Sequence, residues 1–198
     1  MYLFKVISVD MGNNNIFEAI IDNNLPKVKE FIQNGFNVNQ KHSEIQLTPL
    51  IQAINLRRLE IIKILLEAGA DPNLCQDVYA TPLELATSLG NIEVIKILLR
   101  AGANPNFFGI DSSALERAIR IERIDIIKIL LDAGADLSHK NRSLIYAANN
   151  GKFEIVKFLV ETGSVYINFK NRYGETALDK ARYWGYQEIV DYLLPWAK

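Results

Sequence analysis

Short segments along the chain place apolar residues three and four positions apart, with polar residues between them. The segment at residues 92–99, Ile-Glu-Val-Ile-Lys-Ile-Leu-Leu, is a clear example, and this spacing is typical of an amphipathic helix. Each such segment ends near a glycine, where a left-handed residue closes a helix at little steric cost. The residues that follow, up to the next predicted helix, are too few for a further helix. We expect them to form a turn or hairpin.

Two phrases recur in a common register. Residues 65–71, 98–104 and 130–136 share the pattern Leu-Leu-x-Ala-Gly-Ala-Asp/Asn, and weaker copies lie at 31–37 and 159–164. Their glycines, at positions 35, 69, 102, 134 and 163, are separated by 34, 33, 32 and 29 residues. The second phrase is Thr-Pro-Leu at 48–50 and 81–83, with a degraded copy, Thr-Ala-Leu, at 176–178. Internal repetition at such a period indicates a repeat architecture.

Each part of the period has a physical interpretation. Thr-Pro predicts the start of a helix, because the hydroxyl can accept from free backbone N–H groups and proline suits the first helical position. An alanine follows at a fixed offset in every copy, which predicts a close approach between neighbouring helices. These alanines are Ala19, Ala53, Ala86, Ala118, Ala147 and Ala181.

The chain closely resembles the ankyrin repeat family. The resemblance rests on the Thr-Pro-Leu phrase, the Ala-Gly-Ala-Asp-Pro-Asn string at 68–73, the related string at 101–106 and the period. The resemblance implies an all-α repeat solenoid of stacked helix-turn-helix pairs with intervening β-hairpin loops. We expect an N-terminal segment at 1–13, one ankyrin-repeat domain at 14–194 and a C-terminal tail at 195–198. The expected units are approximately 14–39, 40–73, 74–106, 107–138, 139–168 and 169–194, of which the first and last are caps.

The sequence departs from the family in three ways. The histidine that usually follows Thr-Pro-Leu is replaced, for example by Glu84, and the glycine before the phrase is kept only at Gly174. If the hairpins need a positive φ at that place, Tyr79 is strained there. The fifth unit is the shortest, which predicts a shortened hairpin around residues 138–142 and a break in the stacking between the fourth and fifth units.

Composition excludes several classes of protein. Hydrophobic residues make up 49% of the 198-residue chain and charged residues 23%, and the net charge is −1. No global field would draw such a chain to nucleic acid or to an anionic membrane. Cys75 is the only cysteine, so no intrachain disulfide forms. The N-terminus lacks the features of a signal peptide and no apolar run is long enough to span a membrane. We therefore expect a cytoplasmic protein, either in the producing cell or in a host cell to which it is delivered.

Catalytic and metal-binding motifs are absent from the sequence. The two histidines, His42 and His139, are predicted on separate loops as solvated side chains. Acidic residues recur near the start of the second helices, where a carboxylate interacts favourably with the helix dipole. These are Glu60, Glu93, Asp125, Glu154 and Glu188. We therefore expect no enzyme activity, no cofactor and no metal ion.

Binding residues are expected at positions that break the period, because packing fixes the residues that keep it. In the ankyrin resemblance such positions lie on a concave surface of hairpin tips and first helices. The predicted set is rich in aromatic residues and arginine, which are enriched at interface hot spots. It comprises Ile45, Arg57, Arg58, Val78, Tyr79, Leu89, Phe107, Phe108, Ile110, Arg120, Arg123, Tyr173, Tyr183 and Trp184. A packing role for Phe107, and a cap role for Tyr183 and Trp184, are open alternatives.

Three hypotheses follow from these observations. The leading one is a non-catalytic module that binds another protein as an adaptor, inhibitor or effector. The second is a small-molecule or enzymatic site at the irregular junction of the fourth and fifth units, near Asp111, His139, Lys140 and Arg142. The third is nucleic-acid binding through Arg57, Arg58, Arg117, Arg120 and Arg123, against which the net charge weighs.

Overall fold

The computed structural model describes residues 15–44, 46–74, 80–107, 113–136, 140–162 and 165–197. The regular structure of these residues is helical, in agreement with the predicted all-α repeat fold. The helices are α1 (Ile16–Ile21), α2 (Leu25–Gln33), α3 (Pro49–Asn55), α4 (Leu59–Glu67), α5 (Pro82–Ser88), α6 (Ile92–Arg100), α7 (Ala114–Arg120), α8 (Ile124–Asp132), α9 (Lys140–Asn149), α10 (Phe153–Glu161), α11 (Ala177–Trp184) and α12 (Gln187–Leu193).

The chain divides into two compact units, Met1–Asp71 and Pro72–Lys198. The first contains the helix pairs α1–α2 and α3–α4, and the second contains the four pairs from α5 to α12. The predicted single domain over residues 14–194 remains a prediction.

The first helix of a pair begins where the sequence predicts a cap. The hydroxyl of Thr48 accepts a hydrogen bond from the Ile51 N–H at 3.2 Å. Thr81 accepts from the Glu84 N–H at 3.1 Å while the Glu84 carboxylate accepts from the Thr81 N–H at 2.8 Å. This reciprocal arrangement satisfies two backbone donors that the helix itself leaves unpaired. Thr176 forms the same box with Asp179.

A left-handed residue follows the first helix of every pair. Its φ is 54° at Asn23, 56° at Arg57, 65° at Gly90, 59° at Glu122, 67° at Gly151 and 73° at Gly185. Glycine adopts this conformation freely, whereas a residue with a side chain is strained by about 1–2 kcal/mol. Arg57 and Glu122 therefore carry strain that their glycine counterparts do not.

The recurring alanines are buried, as the register predicted. All six are at most 2% exposed. The second helices also bury apolar side chains, such as Val94, Ile95 and Leu98 of α6. A larger side chain at these alanines would overpack a closely filled interior.

Asparagine side chains tie each repeat to the next within a unit. Asn73 donates from Nδ2 to the Gly102 carbonyl at 3.0 Å and accepts at Oδ1 from the Asn104 N–H at 2.7 Å. Asn106 makes the same pair of bonds to Gly134 and Asp136. In the first unit, Asn39 spans Gly69 and Asp71. The final Asn of the Ala-Gly-Ala-Asp-Pro-Asn string is thus a clamp between repeats.

The fifth pair departs from the register in a different way from the prediction. We expected a shortened hairpin around residues 138–142, but α9 begins at Lys140 and places Arg142 inside a helix. By register the helix would begin at Ser143, the counterpart of Pro82. Arg142 stands where Thr81, Ser113 and Thr176 cap their helices, and α9 extends past this position towards the N-terminus.

The prediction of a solvated loop histidine is wrong for His42. Its ring is half-buried and packs edge-to-face on Phe17, with ring centroids 4.9 Å apart. Its Nδ1 accepts from the Glu44 N–H at 3.3 Å. A turn closed by two backbone hydrogen bonds, between His42 and residues 46 and 47, brings the imidazole to this position. His139 lies outside the described residues.

Candidate functional site

Three first helices of the second unit carry a connected set of exposed and half-buried side chains. The Arg120 guanidinium on α7 lies over the Tyr146 ring on α9, 5.9 Å from its centroid. Tyr146 shares a helix face with Asn149, three residues later. Asn149 accepts at Oδ1 from the Trp184 indole Nε1–H on α11 at 2.9 Å. We call Arg120, Tyr146, Asn149, Tyr183 and Trp184 the inner-helix track.

The C-terminal end of this track is aromatic and exposed. Tyr183 is 76% exposed and Trp184 is 54% exposed. Their rings meet edge-to-face with centroids 5.0 Å apart. The Asn149 bond fixes the orientation of the indole. Large, preorganised aromatic surfaces of this kind are common at interface hot spots.

A cleft opens beside the track between α7 and α9. Its volume is about 200 Å³. It is lined by Glu116, Ile119, Arg120, Arg142, Ser143 and Tyr146. This is the junction of the fourth and fifth units, where the sequence predicted an irregularity. Of the junction residues named from sequence, Arg142 lines the cleft and Lys140 begins α9, while Asp111 and His139 lie outside the described residues.

Positive charge dominates this cleft. Arg120 and Arg142 are both exposed, and neither forms an ion pair within the part of the chain that the structure describes. The Glu116 carboxylate accepts from the Ser113 N–H at 3.1 Å in the cap of α7. The N-terminal end of that helix interacts favourably with the charge of Glu116, which is the one carboxylate in the lining beside two guanidiniums.

A buried carboxyl lies on the preceding first helix. Glu84 of α5 is 1% exposed. Burial raises the pKa of Glu84, against the lowering effects of its hydrogen bonds with Thr81 and of the Arg117 charge. Its side chain fills the place where ankyrin repeats usually carry histidine. We interpret it as part of the helix cap, because its carboxylate accepts the Thr81 N–H.

Other predicted binding residues of the second unit lie apart from the track. Leu89 is half-buried at the C-terminal cap of α5, and Phe107 is 38% exposed on the loop before α7. Arg123 makes two hydrogen bonds to the Asp125 carboxylate, at 2.9 and 2.7 Å, which lower the pKa of Asp125. Tyr173 is 69% exposed and the Arg172 guanidinium lies 4.7 Å from its ring centroid.

Arg57 and Arg58 belong to the first unit. Arg57 is exposed in its left-handed turn. Arg58 is half-buried and donates from Nη2 to the Ile21 carbonyl at 2.8 Å, which ties the start of α4 to the end of α1. This bond gives Arg58 a structural role. The remaining predicted contact residues lie outside the described residues: Ile45, Val78, Tyr79, Phe108 and Ile110.

Sequence reasoning missed Tyr146 and Asn149. Tyr146 immediately precedes the fixed alanine Ala147, and Asn149 lies two residues after it. Other repeats have different residues at these two positions, such as Leu85 and Ser88 around Ala86. The signal was therefore present in the register. The fifth unit has neither the Thr-Pro phrase nor a Ser or Thr at the capping position, which Arg142 occupies.

The described residues contain no group of three or more His, Cys, Asp or Glu side chains arranged to hold a metal ion. None of the helices in the described ranges has the length and apolar character needed to cross a membrane.

Comparison with known proteins identifies the repeat. A family model described as ankyrin repeats (3 copies) matches residues 3–76, 68–141 and 115–198. The solved ankyrin repeat protein EF0377 has 30% sequence identity to this chain and a TM-score of 0.78. That likeness covers 96% of this chain and 100% of EF0377.

Curated relatives match shorter stretches. A putative ankyrin repeat protein of Fowlpox virus, FPV222, is 38% identical over 61 residues, which are 31% of this chain and 8% of that protein. The human NAD-capped RNA hydrolase NUDT12 is 47% identical over 51 residues, 26% of this chain and 11% of the hydrolase. This chain thus matches about a tenth of each relative's length. The family model and the EF0377 likeness extend over almost the whole sequence, and the chain belongs to the ankyrin repeat family.

Proposed function

We propose that this chain is a non-catalytic module that binds a partner protein through the inner-helix track and the loops beside it. Ankyrin repeats are generally protein–protein interaction modules, and their fold is typically non-catalytic. The observation that carries the finer proposal is the exposed Tyr183–Trp184 pair, whose indole is held in place by Asn149.

Exposure and chemistry favour this face. Along the track, an arginine and three aromatic rings belong to helices whose opposite faces are buried in the core. The outer, second helices instead expose charged residues such as Lys96 and Lys128. Lysine is depleted at protein interfaces, whereas tyrosine, tryptophan and arginine are enriched. The track is therefore the better binding surface. Leu89, Phe107 and Tyr173 extend the proposed contact area, and in the first unit Arg57 is the exposed candidate.

The size of the α7–α9 cleft weighs against the small-molecule alternative. Sites for small molecules usually enclose about 300–1,000 Å³, and this cleft has about 200 Å³. The nucleic-acid alternative is weakened because Arg58 and Arg123 are engaged within the chain, by Ile21 and Asp125. Neither alternative has an observation that favours it over protein binding.

The test is capture of partner proteins from the native cell extract by the full chain, compared with two variants. Arg120→Ala/Tyr183→Ala/Trp184→Ala removes exposed side chains of the track. Lys96→Ala/Lys128→Ala/Glu154→Ala removes exposed side chains of the outer helices. We expect the track variant to lose the proteins captured by the wild type, the outer-helix variant to keep them, and both to melt near the wild-type temperature. Equal capture by the wild type and the track variant would refute the proposed surface.

A further inference from the structure

The cleft between α7 and α9 has a composition that favours a specific kind of side chain. Two guanidiniums, Arg120 and Arg142, line a space of about 200 Å³ together with Tyr146 and Ser143. Neither arginine is paired with a carboxylate among the described residues. By contrast, Arg123 and Lys152 nearby are paired, with Asp125 and Glu122. With two guanidiniums and the one carboxylate of Glu116 in its lining, the cleft carries a net positive charge.

Like charges that share a small cleft raise each other's energy, and an anion placed between them removes that cost. A guanidinium offers several N–H donors in a planar fork that fits a carboxylate. The volume of the cleft suits one acidic side chain and is too small for a larger ligand.

We infer that this cleft receives an aspartate or glutamate side chain of the bound protein, held by Arg120 and Arg142 with the Tyr146 ring beside it. This inference rests on the proposed protein-binding function and names the chemistry that the partner must supply. Glu116 accepts from the Ser113 N–H in the cap of α7 and forms no ion pair with either arginine among the described residues.

The irregular start of α9 contributes an arginine to this cleft. α9 begins at Lys140 and carries Arg142 where α5 and α11 carry the capping residues Thr81 and Thr176. A threonine there would cap its own helix. An arginine there extends to the cleft instead.

The experiment selects peptides from a random library on the full chain and measures their binding to variants. We expect the selected peptides to share an aspartate or glutamate at a fixed position. Arg120→Gln/Arg142→Gln should weaken their binding about tenfold, because charge-assisted hydrogen bonds are lost. The control Arg100→Gln/Arg182→Gln removes two exposed arginines outside the cleft and should bind as the wild type. Changing the peptide's acid to its amide should give the same loss, with little further loss in the double arginine variant.

Each other outcome overturns the inference. Selected peptides without a shared acid, or peptides that bind the Arg120→Gln/Arg142→Gln variant undiminished, refute the acidic cleft but leave protein binding intact. Peptides whose binding needs a phosphorylated residue rather than a carboxylate also refute it. Failure to select any peptide refutes the inference and counts against the proposed function as well. Both variants alter exposed residues, and thermal melting verifies that they fold.

Discussion

The Asn73 side chain joins the loop before α5 to the turn after α6 by donating to the Gly102 carbonyl at 3.0 Å. The same amide accepts from the Asn104 N–H, so one side chain satisfies two backbone groups of the next repeat. An intramolecular hydrogen bond of this kind contributes about 0.5–1.5 kcal/mol.

Asn73→Ala is therefore expected to lower the free energy of unfolding by about 1–2 kcal/mol, because both bonds are lost together. Urea denaturation measures the change. Lys96→Ala, on the exposed face of α6, is the control and should stay within about 0.5 kcal/mol of the wild type. A loss no larger for Asn73→Ala than for Lys96→Ala would mean that the clamp contributes nothing.

Gly151 and Gly90 occupy equivalent left-handed turns but face different neighbours. A Cβ at Gly151 would lie 2.8 Å from Tyr186 Cε1, whereas at Gly90 the nearest atom is Arg123 Nη1 at 3.1 Å. The Tyr186 ring cannot yield as easily as the end of an arginine side chain. Gly90→Ala should destabilise the chain by about 1 kcal/mol through the strained backbone alone.

Gly151→Ala should cost about 1–3 kcal/mol more than Gly90→Ala, because a ring is displaced as well. Chemical denaturation of the two variants side by side gives the difference. Equal losses would show that Tyr186 adjusts freely, and the close approach at Gly151 would then have no energetic consequence.

Removing the backbone strain at Arg57 should raise the free energy of unfolding. Its φ of 56° costs an L-residue about 1–2 kcal/mol, and glycine removes this cost. Glycine also increases the conformational entropy of the unfolded chain, which offsets part of the gain in stability. Arg57→Gly is expected to stabilise by about 0.5 kcal/mol. The same replacement in the last turn of α6, Arg100→Gly, should destabilise by about 1 kcal/mol. Loss of stability in both variants would contradict the assignment of strain to Arg57.

Burial of Glu84 makes the stability of the folded chain depend on pH. Comparing the wild type with a variant at residue 84 isolates this contribution. Because burial raises the pKa of Glu84, the folded state holds the proton more tightly than the unfolded state. The stabilising contribution of Glu84 is therefore fully present below the pKa that this residue has in the unfolded chain. It is lost as the pH rises through the pKa of Glu84 in the folded chain. Charged Glu84 thus reduces stability at neutral pH.

Glu84→Gln keeps an acceptor for the Thr81 N–H and removes this titration. The melting temperature of Glu84→Gln minus that of the wild type should be larger at pH 7 than below the ordinary glutamate pKa. Glu116→Gln, in the equivalent cap of α7, is the control. A difference that stays constant with pH would show that burial does not raise the pKa of Glu84.

Much of this fold follows from the sequence because it is local. Thr48 and Thr81 cap their helices, and the glycines at 69 and 102 adopt positive φ, as the repeated phrases predict. These features depend on backbone geometry within a few residues. The buried alanines follow from the period itself.

What the sequence did not reveal depends on contacts between distant residues. His42 packs on Phe17, and the Asn73 clamp reaches a carbonyl of the next repeat. Tyr146 of α9 meets Arg120 of the neighbouring helix α7. Hydrophobic periodicity assigns a face to a helix, but it does not specify which side chain of a neighbouring helix lies opposite.

The central claim is that the inner-helix track contacts the partner, and the two tryptophans test it directly. Trp184 and Trp196 are each 54% exposed, but only Trp184 belongs to the track. NMR of the two indole Nε1–H resonances, recorded while a captured partner protein is added, separates them. We predict that the Trp184 resonance shifts or broadens in proportion to complex formation while that of Trp196 stays in place. A response of Trp196 alone, or of neither indole in a saturated complex, would contradict the claim.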